Sequence, residues 1–405
     1  MTTMKTNACI STLFCIIVVL STSVRASSLQ CKGEQNQNVD WFVLYKLPRL
    51  SNSGNHLIKE GVAYLYMDSE SFAKGWTLSE KDITSNDSIP ANTLAPFYND
   101  NIAGDLFWVM YNDQPPNQPA KLNNGHTKGV VIAGETEGFW LIHSVPNFPP
   151  EPNTGNETRR SNSNKIENES EEDTSKDIPR GIYAYPSSGK VNGQSFLCIS
   201  TNEANLNTIG KQLMYNQIIV YRRNLPDSLS NKYSVLTDAA NQVRIKKAPY
   251  NSKINLYSTS GMEFTSFAKS SKWQKDLYDD FVAPQLNTDL YTETWMNGRG
   301  KLPSECNKTR VMNIRAISLQ KANVEFHSSR DHSKWAVSAD EKKKAHWVCI
   351  GDINRADTQF ERGGGTVCLN VPDVWKNYKD SVEDVEPCPK PKSKGFIDRV
   401  KSWFS

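Results

Sequence analysis

The sequence predicts an α/β (α+β) protein: two related halves, each a mixed β-sheet flanked by helices, with much of the sheet buried. Three observations lead there. Eight short runs are rich in β-branched or aromatic residues and bounded by Gly, Asn or polar residues, as buried strands are. Only two stretches, 204–215 and 272–286, have helical length and pattern, and Pro284 interrupts the second. One arrangement of His, Lys, Trp and Asn also occurs twice along the chain.

The strand candidates, in order, are 41–45, 62–66, 106–111, 129–133, 138–143, 254–257, 311–316 and 346–350. At 405 residues the chain exceeds the usual reach of one small core. Hydrophobic residues make up 38% and aromatic ones 10%, which supplies a large core and excludes wholesale disorder. Lys and Arg number 47 against 44 Asp and Glu, so a net charge of +3 announces no polyanionic partner.

Lys5, the apolar run 13–20 and Val24-Arg25-Ala26 have the order of a signal peptide, read as residues 1–26. The run falls short of the ~20 apolar residues that span a bilayer. No other stretch approaches that length, so no membrane span is expected. Cleavage removes Lys5 and Arg25 and no acid, lowering the net charge by two to +1. Six cysteines remain: Cys31, Cys198, Cys306, Cys349, Cys368 and Cys388. In an oxidising compartment that even number favours three disulfides without selecting a pairing. No two have C-x-x-C spacing, so no metal site is expected. Asn86, Asn156, Asn168 and Asn307 each begin an N-x-S/T triplet, a glycosylation signal.

The halves are read as 27–185 and 186–388, followed by a basic tail, 389–405. Within the first, residues 151–179 hold eight acids, four bases and only Ile166 and Ile178 as apolar side chains, the composition of a disordered loop. In the tail, 396–404 has the pattern of a short amphipathic helix.

The chemistry turns on His126-Thr-Lys128 and His332-Ser-Lys334. In an extended strand residues i and i+2 share a face, so each motif presents an imidazole beside an ammonium. Trp140 follows His126 by 14 residues and Trp347 follows His332 by 15; Asn147 and Asn354 lie seven residues beyond each Trp. The pattern reads as a diverged repeat whose two motifs meet between the halves. Such a site suits a phosphodiester. One neutral His attacks phosphorus while the lysines and the Asn amides stabilise the charged oxygens. The second His, protonated, donates to the leaving oxygen. Lysines take the place metal ions hold in other phosphoryl-transfer sites, so no cofactor is called for. Asp331 is placed to tune His332.

His126-Thr-Lys-Gly129, Asp331-His-Ser-Lys-Trp335 and the run from Gly138 to Pro150 resemble deoxyribonuclease II. So do the run from Val39 to Pro48, Gly351-Asp-Ile-Asn-Arg355 and Arg362-Gly-Gly-Gly-Thr366. The resemblance runs from about Cys31 to Cys388. It implies a phospholipase D-like fold, two α/β halves that each give one His-x-Lys to a shared site. The chain departs from that wider superfamily at positions 132 and 338, where Ile and Ser replace the usual Asp. The resemblance further implies acid-optimal, metal-independent endonucleolytic cleavage of DNA to 3′-phosphate and 5′-hydroxyl ends. It implies a lysosomal or secreted location, and disulfides Cys31–Cys198, Cys306–Cys388 and Cys349–Cys368.

His126, Lys128, His332 and Lys334 are therefore the expected catalytic group, with DNA as partner and no obligate protein partner. Asn147, Asn354, Arg355 and Arg362 are candidates for gripping phosphate, each with a purely structural alternative as turn cap or carbonyl ligand. His143 either lines the cleft or is structural; His56, His327 and His346 are expected to be structural or exposed. Two further readings stay open on the sequence: a phosphodiesterase acting on another diester, and a secreted nucleic-acid binder without turnover. Since the body carries little net charge, DNA affinity is expected to come from histidines that become charged in acid.

Overall fold

Alternation along the strands decides how the sheets meet. On the strand Trp41–Lys46, Trp41, Val43 and Tyr45 join one apolar cluster while Phe42 and Leu44 join another on the opposite face. The first cluster also takes Trp335, Val337, Val348, Ile350 and Val367, so one core is shared between two sheets. A computed structural model describes residues 28–157, 178–307, 309–340 and 345–388. The signal peptide, the greater part of the acidic loop with Asn168, and the basic tail lie outside the described residues.

The first sheet has nine strands in the order Thr77–Leu78, Tyr64–Asp68, Trp41–Lys46, Gln194–Asn202, Glu137–His143, Lys128–Ala133, Phe107–Asn112, Val220–Asn224 and Asn156–Glu157. All its described pairings are antiparallel. The second sheet runs Asn251–Tyr257, Glu263–Lys269, Gly364–Asn370, Trp347–Gly351, Trp335–Ser338, Leu290–Glu293, Val311–Leu319 and Val324–His327. A ninth strand, Val382–Val385, also pairs with Val311–Leu319. Leu290–Glu293 and Val311–Leu319 run parallel, which makes this sheet mixed. The fold is thus α+β, as the strand-rich pattern predicts.

The repeat read in the sequence is a repeat of topology. In each sheet the strand after His-x-Lys (Lys128–Ala133 or Trp335–Ser338) pairs with the following aromatic strand (Glu137–His143 or Trp347–Gly351). That strand pairs in turn with a third, Gln194–Asn202 or Gly364–Asn370. Gln194–Asn202 and Val220–Asn224, which a division at residue 186 assigns to the second half, are therefore members of the first sheet. Sheet membership changes between Asn224 and Asn251. Gln194–Asn202 completes the first sheet by pairing with Trp41–Lys46 and Glu137–His143, a long-range pairing that composition does not record.

The helix Glu203–Asn216 matches its expectation and packs Leu206, Ile209 and Leu213 into the shared core. The single helix expected over 272–286 is instead three short pieces. A 3₁₀ turn, Ser271–Trp273, ends where Gln274 adopts a left-handed φ of 59°. A π-turn, Tyr278–Val282, then leads into Ala283–Leu286, because Pro284 has no N–H for a regular α-helical bond. The disulfides are Cys31–Cys198, Cys306–Cys388 and Cys349–Cys368, the pairs the resemblance implies. The last joins residues directly opposite each other on neighbouring strands. Asn86 and Asn307 are exposed. No helix among the described residues is long and apolar enough to cross a membrane.

Candidate active site

Each His-x-Lys is pinned by the opposite sheet. The His126 N–H donates to the Gly363 carbonyl at 2.9 Å, and the His332 N–H donates to the Gly193 carbonyl at 2.9 Å. Gly193 and Gly363 immediately precede the corresponding third strands. Both positions need glycine for close approach: a Cβ would lie 2.3 Å from Asp331 Oδ1 at Gly193 and 2.4 Å from the Asn216 carbonyl at Gly363. The reciprocal tethers bring the motifs together, so that the charges of Lys128 and Lys334 each act on both His126 and His332.

Around the first motif, Asp113 is the organising charge. Its Oδ1 pairs with Lys128 Nζ, and its Oδ2 accepts from an Arg362 Nη at 3.0 Å and lies 3.8 Å from His126 Nε2. Burial pushes the Asp113 carboxyl up, but Lys128 and Arg362 outweigh it and hold the group below its usual value. Arg362 crosses from the second sheet and also donates to the carbonyls of Asn124 at 2.9 Å and Gly125 at 3.0 Å.

Around the second motif, His332 Nδ1 lies 3.0 Å from the Ser144 carbonyl and 3.3 Å from Gln194 Oε1. Both of these partners accept, whereas Lys334 Nζ beside the same nitrogen donates; in the tautomer whose Nδ1–H faces the Ser144 carbonyl, Nε2 keeps its lone pair. Lys334 Nζ, 3.0 Å from Nδ1, donates to the His332 carbonyl. Trp295, half-buried, meets the His332 ring edge-on at 5.3 Å. Asp331, adjacent to His332, turns away into the core and accepts from Tyr45 Oη and from Ser333 Oγ at 2.7 Å. Its carboxyl is therefore behind the motif rather than against the imidazole.

The predicted phosphate contacts divide. Arg355 is buried, donating to Asn313 Oδ1 and to the Pro303 carbonyl at 3.2 Å, 3.7 Å from Asp276; it is a structural arginine. Arg362 is at the site but spends its guanidinium on Asp113 and backbone carbonyls. Asn147, with φ of 59°, donates to the Pro115 carbonyl at 3.2 Å and acts as a turn residue. Asn354 is half-buried and its amide oxygen makes no hydrogen bond among the described residues. His143 is buried between Phe148 and Phe196, on the face away from the shared core. His56 and His327 are exposed, and His346 packs at a tilt against Trp375, ring centroids 4.7 Å apart.

Three site carboxyls escape sequence reasoning. Asp113 has no local pattern, since its partners lie 15 and 249 residues away. Asp352 sits inside the Gly351-to-Arg355 string, where its chemistry was the available signal. Glu293, opposite Trp335 on neighbouring strands, is fully buried, and neither of its oxygens has a hydrogen-bond partner among the described residues.

The histidines do not behave as their ordinary chemistry suggests. Burial and the neighbouring lysines hold His126 and His332 well below the usual imidazole value, and burial does the same for His143. That downward shift opposes the gain of positive charge in acid expected from these three.

The opposite holds for two carboxyls. Burial raises Glu293 well above the usual range, with Asp331 adding to it and Lys334 opposing; burial likewise raises Asp331. A carboxyl whose folded value is raised contributes stability that is complete below its unfolded value, about 4, and is lost as pH rises through the folded value. Between pH 5 and pH 8 the raised carboxyls therefore lower stability as pH rises, while His126, His143 and His332, whose values are lowered, act in the opposite sense. Glu293→Gln removes one carboxyl's share, so its melting temperature relative to the unaltered protein is expected to improve from pH 5 to pH 8; an unchanged or opposite difference would contradict this.

Known proteins bear on this geometry. The family model for deoxyribonuclease II matches residues 30–388. Plancitoxin-1 of Acanthaster planci is 37% identical over 390 residues, 95% of this chain and all of the relative. Deoxyribonuclease-2-alpha of Rattus norvegicus is 35% identical over 370 residues, 90% of this chain and 96% of the relative. Cell death-related nuclease 6 of Caenorhabditis elegans is 35% identical over 386 residues, 93% of each. The match covers both sheets and both tethered His-x-Lys motifs, and the chain belongs to the deoxyribonuclease II family.

Proposed function

We propose that the chain is an endodeoxyribonuclease of the secretory pathway, lysosomal or secreted. It hydrolyses DNA phosphodiesters in acid without a metal ion, through a phosphohistidine. The observation that carries this reading is the pair of imidazole–lysine motifs, each tethered to the opposite sheet and sharing one field of positive charge. The three disulfides fit an oxidising compartment.

His332 is the better nucleophile, because its Nδ1 proton is held by the Ser144 carbonyl and its Nε2 lone pair is free. Nε2 attacks phosphorus, a P–N bond forms, and the bond to the 5′ oxygen breaks. His126 Nε2, beside Asp113, delivers a proton to that oxygen, leaving a 5′-hydroxyl. The negative phosphate draws the required proton onto His126, whose field in the free protein disfavours it. Lys128 and Lys334 stabilise the non-bridging oxygens. Water then attacks phosphorus, His126 takes its proton, the P–N bond breaks, and the strand keeps a 3′-phosphate.

Nicking of supercoiled plasmid at about pH 5 in EDTA tests the reading, with end-labelling of the products. Cleavage that persists in EDTA and leaves 3′-phosphate ends is expected. Cleavage that needs added divalent cation, or that leaves 5′-phosphate ends, would overturn it.

A further inference from the structure

Asp352 occupies the ground between the two motifs without belonging to either. It follows the strand Trp347–Gly351, whose last residue donates its N–H to the Lys334 carbonyl at 3.0 Å. Its Oδ1 accepts from the Gly365 N–H at 3.0 Å, and its own N–H donates to the Gly365 carbonyl at 3.3 Å. Gly363, two residues earlier on that segment, holds His126. The carboxyl is thus clamped by backbone to the elements that carry both catalytic motifs. It is 5% exposed, and Oδ2 makes no hydrogen bond among the described residues.

Resting on the nuclease reading, we propose that Asp352 is a substrate-binding residue whose protonated carboxyl donates a hydrogen bond to a non-bridging oxygen of the DNA phosphate. Its ionisation then closes the same cradle to DNA. The groups that face it are Lys128 at the start of one strand, Asp113 from the loop before it, Lys334 from the second motif, Tyr111 and Tyr278. Burial raises Asp352 to about 7, with Asp113 adding to the rise and the Gly365 N–H, Lys128 and Lys334 opposing it. His126 and His332 are shifted down, whereas Asp352 is placed to change charge between acid and neutral pH.

The chemistry follows from that balance. In acid the neutral carboxyl makes no claim on either lysine beyond the contacts they already have, Lys128 with Asp113 and Lys334 with the His332 carbonyl, and it adds an O–H donor for the phosphate. At neutral pH the carboxylate takes the lysines as counter-ions, and an incoming phosphate meets a fixed negative charge in a poorly solvated site. Acid dependence then enters through phosphate binding as well as through proton donation.

The experiment uses the full chain and two readouts. Asp352→Asn cannot ionise, yet its amide can still accept from Gly365 and donate to phosphate; Asp352→Glu keeps a titrating carboxyl. Cleavage by the unaltered protein is expected to fall at least about tenfold between pH 5 and pH 8, mostly in KM. Asp352→Asn is expected to fall less than about threefold over that range, and Asp352→Glu to keep a steep fall. Fluorescence anisotropy of a labelled DNA duplex with the His332→Ala protein, with and without Asp352→Asn, reads affinity without turnover. The same loss of pH dependence is expected there. Parallel profiles for Asp352→Asn and the unaltered protein in both readouts would overturn the proposal. So would a folded Asp352→Asn protein that binds DNA no better at pH 8 than its parent. Absence of cleavage by the unaltered protein at every pH sinks the nuclease reading instead, while the binding readout still judges Asp352.

Discussion

His332→Ala is expected to lower the DNA cleavage rate by ~10⁴-fold or more and to abolish the phosphorylated intermediate. In the proposed mechanism this imidazole is the attacking group, and no neighbouring side chain replaces it. Lys128 and Lys334 remain to bind phosphate, and DNA affinity is expected to change little. His126→Ala removes the proton donor instead. It is expected to slow cleavage of DNA strongly while still forming phosphohistidine at residue 332 from a diester with a good leaving group. Acid-quenched protein analysed by peptide mass spectrometry checks both. A phosphohistidine found at residue 126 would reverse the assignment that the Ser144 contact supports.

Asp113→Ala is expected to destabilise the fold by ~3–5 kcal/mol, because removing one member of a buried ion cluster strands the others. Lys128 loses its carboxylate, and Arg362, which ties the second sheet to the first through Asp113 Oδ2, keeps only carbonyl partners. Asp113 lies below its usual value, so its contribution is present above the unfolded value and is lost only as pH falls through the lowered folded value. The loss is therefore expected to be similar at pH 5 and pH 7. Urea denaturation of both proteins at the two pH values measures it. A difference below ~1 kcal/mol would mean the cluster is no stronger than a surface pair. Asp113→Asn keeps the shape and serves as the milder control.

The strands were readable because alternation and β-branching are local: all eight predicted runs overlap strands of the structure. The helix 203–216 was readable for the same reason. Helix Pro372–Asp380 was not, being short and lacking a side-chain cap hydrogen bond. The pair of His-x-Lys motifs that the fold brings together was legible because its signal is internal, an i, i+2 pair that recurs with Trp and Asn at matching distances. Arg355 and Asn147 carry the same residue types as real phosphate ligands, and only the position of Asn313 and the Pro115 carbonyl decides that they are structural.

By itself, then, the sequence determined the strand-rich class, the paired His-x-Lys chemistry and the number of cysteines left to pair. Through the resemblance it also implied their partners. The tertiary structure alone decided which sheet owns 194–224, since that follows from hydrogen bonds to strands 41–46 and 107–112. It also decided that Asp113, Glu293 and Asp352 surround the motifs, and that burial lowers the histidines while it raises Asp352. Periodicity and spacing are short-range and survive in the order of residues. A proton's affinity depends on every charge and every lost water within several ångströms, and that distance is measured only after the chain has folded.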